Sequence, residues 1–204
     1  KYETTVGAGL PIINTLHNLL LSGDEIIEIE GVLSGTLSYI FTEYNRTDNN
    51  LVDIVKQAQD LGYTEPNPLE DLNGVDVMRK ILILARIIGI PLELDNVNNI
   101  SFLTEECKNS TNVNEFYNEL RKTTLERKEN KQIRHVASLK NNRATVEIKY
   151  YDKTHPFSNL QGSDNMIIIT TKRYLKNPII IQGPGAGAEV TSAGVLADIM
   201  QLSF

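Results

Sequence analysis

The sequence predicts an α/β (α+β) fold: a mixed, mostly antiparallel sheet with helices packed on one face. Three observations carry that expectation. Residues 25–32 alternate, with Ile27 and Ile29 set against Glu28 and Glu30, as in a strand with one wet face. Residues 132–182 are rich in β-branched runs, and Lys140-Asn141-Asn142-Arg143 between two of them is a hairpin signal. Between and before these lie segments whose apolar residues recur at helical spacing.

In chain order, residues 2–9 are short and Gly-rich and read as a strand or loop. Pro11 to Leu21 reads as a helix: proline suits a first turn, and Ile12, Ile13, Leu16, Leu19 and Leu20 share a face. Ser22-Gly23-Asp24 stops it, and His17 reads as a surface or packed histidine. After the 25–32 strand, Ser34-Gly35-Thr36 turns into a helix reaching about Asn45. Leu51 to Leu61 is a second amphipathic helix, ended by Gly62. A Pro-rich turn leads into a long helix from about Leu72 to Ile88, stopped by Gly89. Residues 92–131 look peripheral, with solvent-facing helices and loops and a charge run from Arg121 to Lys131. The strands then follow as 134–139, 144–151, 166–173 and 178–182, with His135 and His155 at strand and turn positions. Gly183 to Gly187 opens a last helix, 187–202.

Bulk properties narrow the function classes. The chain has 204 residues, 41% hydrophobic, which suits one core. A formal net charge of −6 gives no support to nucleic-acid binding. The single cysteine, Cys107, forms no internal disulfide and leaves no Cys-based metal site. No apolar run approaches the roughly 20 residues that span a bilayer. No secretory signature opens the chain. A cytoplasmic location is the expectation.

Chemistry concentrates between Gly62 and Lys80. Asp76 and Lys80 are four apart and share a helix face. Spacing alone more often marks a structural ion pair. Here Ile81-Leu82-Ile83-Leu84-Ala85 follows at once, so the helix reads as apolar nearly all round and buried. Buried ions are costly unless partnered. Burial lowers a lysine pKa and a neighbouring carboxylate opposes that shift, so such a lysine can donate or accept a proton.

Tyr63-Thr64-Glu65-Pro66, followed by residues 71–80, DLNGVDVMRK, resembles the substrate-site signature of the homoserine dehydrogenase family. Residues 2–11, YETTVGAGLP, are similar to the segment that enters that family's catalytic domain. Residues 31–41, GVLSGTLSYIF, are similar to its strand-to-helix turn beside the substrate. The likeness runs the length of the chain and is nearest to the C-terminal part of bifunctional aspartokinase–homoserine dehydrogenases.

The resemblance implies NADPH- or NADH-dependent interconversion of aspartate 4-semialdehyde and homoserine. It gives Lys80 the proton transfer, directly or through a water, with Asp76 orienting it. Glu65 and Asp71 are candidates for the substrate amino group, and Thr36, Tyr63 and Gly35 for its positioning. Gly185, Gly187 and Glu189 are candidates for the nicotinamide side, where the last helix packs towards a cofactor domain. Glu3, Thr5, Val6 and Ala8 match the turn that holds a sodium ion; the family often has glycine where Ala8 stands. A homodimer is implied through the sheet's uncovered face.

A dinucleotide fold would show a Gly-rich strand-to-helix turn with an acidic residue about 20 positions on. The N-terminal region has none, so a complete Rossmann domain is not expected. Residues 1–204 read as a substrate and dimerisation domain without most of its cofactor domain. The rival readings are an amino-acid sensor that keeps the fold, and a plain dimerisation scaffold.

Overall fold

The structure is a computed structural model, and residues 1–202 are described. Six strands form one sheet: β1 (Ile26–Val32), β2 (Val97–Ile100), β3 (Lys131–Lys140), β4 (Arg143–Asp152), β5 (Asp164–Thr171) and β6 (Ile179–Pro184). Their order is β2-β4-β3-β1-β5-β6. Every pairing is antiparallel except the parallel β2–β4 edge. The expected mixed, mostly antiparallel sheet is therefore present. Asn141 and Asn142 close the β3–β4 hairpin with φ of 51° and 60°, the left-handed pair that a two-residue turn of matching twist needs.

The helices are α1 (Ile12–Leu21), α2 (Gly35–Arg46), α3 (Leu51–Asp60), α4 (Leu69–Leu72), α5 (Val75–Ile87), α6 (Glu105–Lys108), α7 (Val113–Leu120) and α8 (Ala188–Leu202). Helices α2 and α5 lie against the sheet and build the main core, where Phe41, Ile40, Ile81 and Leu84 meet Ile29, Ile133, Leu139 and Ile169. Among the described residues no helix is long and apolar enough to cross a membrane.

Of the two readings of residues 2–9 the loop holds, with a 3-10 turn over Glu3–Thr5 tied by the Thr5 amide to the Tyr2 carbonyl at 3.1 Å. Three expectations change. The helix expected over 72–88 starts three residues later, as α5, because Gly74 adopts φ +77° at its N-cap, and the turn before it holds the short helix α4. Helix α5 is apolar on one side only: Val77, Ile81, Leu82, Leu84 and Ala85 are buried, while Asp76, Arg79 and Arg86 are exposed. Residues 92–131 are not all peripheral. They supply the parallel edge strand β2 and bury Leu103, Cys107, Phe116 and Leu120 in the main core. Their Asn-rich spacing hid four-residue elements too short to show a period.

The second face of the sheet carries a smaller cluster. Val32, Val136, Met166 and Ile168 pack beneath Phe157 and Leu160. Arg134 anchors that cover. Its fully buried guanidinium donates to the Phe157 carbonyl (2.9 Å), the Leu160 carbonyl (3.0 Å) and Thr42 Oγ1 (2.9 Å). These acceptors are neutral, and burial lowers the Arg134 pKa to about 10.

His135 is the other buried ionisable group of β3. Its ring lies 6.5 Å from Phe41 and 6.0 Å from Phe102 between centroids, and its Nδ1 has no hydrogen-bond partner. Burial lowers its pKa to about 4, from an ordinary 6.5. Between those values the unfolded chain binds the proton and the folded chain does not. Stability therefore falls as pH drops through that window, by about 3 kcal/mol in all. Urea unfolding of His135→Phe at pH 7, 5.5 and 4.5 is expected to show a shallower loss than the parent chain. Equal losses would mean that the imidazole protonates freely inside the fold.

Candidate functional site

The antiparallel arrangement brings three chain segments to one end of the sheet. Leu33 to Thr36 leave the C-terminal end of β1, Ser163 enters β5, and Gly185 to Gly187 leave β6. With the turn Gly62–Asp71 and the first turns of α5 they enclose a cleft of about 400 Å³. Its walls include Gly35, Thr36, Tyr63, Asp71, Asp76, Lys80, Gly185 and Gly187. A larger hollow, about 530 Å³, lies at the C-terminal end of α2 among Glu43, Arg46 and Arg134.

Lys80 is the best-held charge of the cleft. Its Nζ lies 2.8 Å from Asp76 Oδ2 and donates at 2.8 Å to the Leu33 carbonyl. Its side chain is 19% exposed, that of Asp76 58%. The expected ion pair is present, but its acid is open to water. An ammonium has three N–H groups; two are engaged, and the third is free to meet a ligand atom in the cleft.

Helix α2 starts at the cleft because Ser34 caps it: Ser34 Oγ accepts from the Leu37 amide at 3.2 Å. Gly35 sits so close to β5 that an added Cβ would lie 3.2 Å from the Ser163 carbonyl. The first amides of a helix have no intrahelical partner and favour an anion. Thr36 Oγ1 donates to the Tyr63 carbonyl at 2.5 Å and lies 3.2 Å from Asp71 Oδ1. Asp71 Oδ2 accepts from the Glu65 amide at 2.8 Å. Thr36 and Asp71 thus pin the Tyr63–Glu65 turn to α2. Burial raises the Asp71 pKa, opposed by the bonds from Glu65 and Thr36. Tyr63 packs on Tyr39 with ring centroids 4.7 Å apart.

Other expected site residues lie apart from the cleft wall. Glu65 meets Asp71 through its amide, and its residue is exposed outside the wall. Glu189 is an exposed acid in the first turn of α8. Glu3 is buried, and its carboxylate accepts from the Ile13 amide (2.7 Å) and the Asn14 amide (2.8 Å). It caps α1, which lacks a cap of its own. Thr5 Oγ1 donates to the Tyr2 carbonyl, Val6 is buried, and Ala8 holds φ +51°, a setting that glycine adopts without strain. Among the described residues no three His, Cys, Asp or Glu side chains cluster to hold a metal.

Sequence reasoning missed Ser163 and the Leu33 carbonyl. A carbonyl carries no residue signature. Ser163 had one weak sign, the Gly162-Ser163-Asp164 turn signal ahead of a β-branched run.

The family model for homoserine dehydrogenase matches residues 11–200. The homoserine dehydrogenase of Schizosaccharomyces pombe is 46% identical over 216 residues, covering 98% of this chain and 57% of that protein. The chloroplastic bifunctional aspartokinase/homoserine dehydrogenase 2 of Arabidopsis thaliana is 44% identical over 212 residues, covering 99% of this chain and 23% of that protein. A hyperthermophilic archaeal homoserine dehydrogenase solved in complex with NADPH superposes with a TM-score of 0.75 at 28% identity, over 100% of this chain and 56% of its own. The chain thus spans little more than half of the fungal relative and under a quarter of the plant one.

Gly74 fixes where α5, and so Lys80, begins. Its φ of +77° costs a residue with a side chain about 1–2 kcal/mol, and a Cβ there would stand 3.2 Å from Asn99 Oδ1. Gly74→Ala is expected to lower stability by that amount or more in urea unfolding. An unchanged midpoint would contradict the assigned backbone.

Proposed function

Because the chain belongs to the homoserine dehydrogenase family, we propose that it forms the substrate side of an NAD(P)-dependent oxidoreductase that interconverts aspartate 4-semialdehyde and homoserine. The observation that supports this most is Lys80: an ammonium anchored by Asp76 and the Leu33 carbonyl, with one N–H left for the cleft.

In this reading the third N–H of Lys80 meets the carbonyl oxygen of the semialdehyde and gives it a proton as the alcohol forms. In the reverse direction the amine takes that proton back. Asp76 orients the ammonium. Asp71, with Glu65 at its turn, faces the substrate ammonium, and the start of α2 at Gly35 and Thr36 takes its carboxylate.

The described residues contain no strand–turn–helix unit of a dinucleotide fold; their one parallel pair is the β2–β4 edge. They fit the nicotinamide end alone. Gly185, Ala186 and Gly187 form a wall with little side chain, and a Cβ on Gly185 would stand 2.1 Å from Asn165. When bound, the nicotinamide supplies the hydride. The 204 residues by themselves are therefore expected to show no turnover. A sodium ion, which suits oxygen ligands, is held in this reading by backbone carbonyls of the turn over Glu3–Ala8, since the Glu3 carboxylate already accepts from the Ile13 and Asn14 amides. In the same reading two copies pair through the second sheet face, where Glu28 with Lys140 and Glu30 with Lys149 alternate in sign.

Lys80→Ala in the complete enzyme is expected to lower kcat about 100- to 10,000-fold, the range for a placed proton donor, with a much smaller change in KM. Steady-state kinetics with both substrates measures this. Unchanged turnover would remove Lys80 from the mechanism.

A further inference from the structure

Behind the glycine wall of the cleft lies a side chain that the proposed reaction does not use. Asn165, on β5, is 1% exposed, and neither its Oδ1 nor its Nδ2 has a hydrogen-bond partner. It stands opposite Gly183 in the β5–β6 ladder. A Cβ added to Gly185 would fall 2.1 Å from Asn165 Cγ and Nδ2 and 2.6 Å from Oδ1. The amide therefore lies against the backbone of Gly185, in a turn that lines the same cleft as Lys80. Two residues earlier, Ser163 is itself part of the cleft wall.

Buried side-chain polar atoms are nearly always paired, and leaving one unpaired costs more than a made bond returns. Here a donor and an acceptor are both unpaired, side by side. Together they match one peptide carbonyl and one peptide N–H. The Gly185 backbone lies against this amide, in a stretch that runs from Gly183 at φ +158° to Gly187 at φ +128°. Such residues can reorient peptides that other residues would hold fixed.

We propose that Asn165 is a positioning residue: when a ligand fills the cleft, its amide takes up peptide groups of the Gly185–Gly187 turn and holds that wall against the ligand. This deepens the reading of the cleft as the homoserine site and rests on it. The residue acts through the turn and touches no reacting atom.

Protein-detected NMR of the 204-residue chain, titrated with homoserine, tests this and tolerates weak binding. Homoserine is expected to shift the backbone amides of Gly35 and Tyr63. It should also move the Asn165 side-chain N–H signals downfield and slow their exchange with water. Asn165→Leu is expected to weaken homoserine binding about thirtyfold, the worth of two ordinary hydrogen bonds, while the Gly35 and Tyr63 shifts persist at saturation. If Gly35 and Tyr63 respond and the Asn165 amide does not, the positioning role is overturned and the cleft reading stands. If no signal responds, the cleft reading fails and takes this role with it. Should the leucine variant not fold, the exchange rate of the Asn165 amide in the unaltered chain decides alone.

Discussion

One ammonium organises the site. Lys80 reaches from the first turns of α5 to the carbonyl of Leu33, the residue after β1, and holds Asp76 on the way. That contact fixes the helix to the end of the sheet where three other segments arrive. It needs α5 to begin where it does, and Gly74 with its left-handed backbone ensures that. It also needs the apolar side of α5 to be buried against β3 and β4, which Ile81, Leu84 and Ala85 achieve. Burial of such groups stabilises by about 25 cal/mol per Å² of apolar area. A surface ion pair is worth far less, so the hydrophobic side carries the cost of placing the charge.

The antiparallel topology explains why the remaining pieces meet there. A chain leaving β1, one entering β5 and one leaving β6 must lie at the same end of adjacent strands. Each brings a small or hydroxyl-bearing turn: Ser34-Gly35-Thr36, Gly162-Ser163 and Gly185-Ala186-Gly187. The turn from Gly62 to Asp71 completes the enclosure, tied to α2 by hydrogen bonds from Thr36 and to Asp71 by the Glu65 amide. The cleft is thus polar on the side of Asp71 and Asp76 and nearly bare backbone on the side of the glycines. In the proposed reaction that asymmetry separates the substrate's side from the nicotinamide's.

Much of this was legible in the residues. Alternation gave β1, the Asn-Asn turn gave the β3–β4 hairpin, and i,i+4 spacing gave the Lys80–Asp76 pair. Family likeness added Thr36, Tyr63, Asp71 and the glycine turn, all of which line one cleft. The failures have physical causes. The start of α5 was placed near Leu72 because Gly74 lies inside an uninterrupted helical pattern, and only its backbone angle marks the true N-cap. Strand β2 has four residues, too few for a period, and it pairs parallel at an edge. The capping of α1 by Glu3, nine residues upstream of that helix, shows only in the fold. Asn165 has no signal at all in the sequence, because its burial and lack of partners exist only once β6 has paired with β5.

The most direct measurement is a crystal structure of the complete enzyme with homoserine and nicotinamide bound. The account predicts the homoserine hydroxyl within about 2.6–3.2 Å of Lys80 Nζ, the reach of proton transfer, with the Leu33 and Asp76 contacts kept and the glycine turn alongside. A homoserine bound away from Lys80, or a Lys80 ammonium turned out to bulk water, would contradict it.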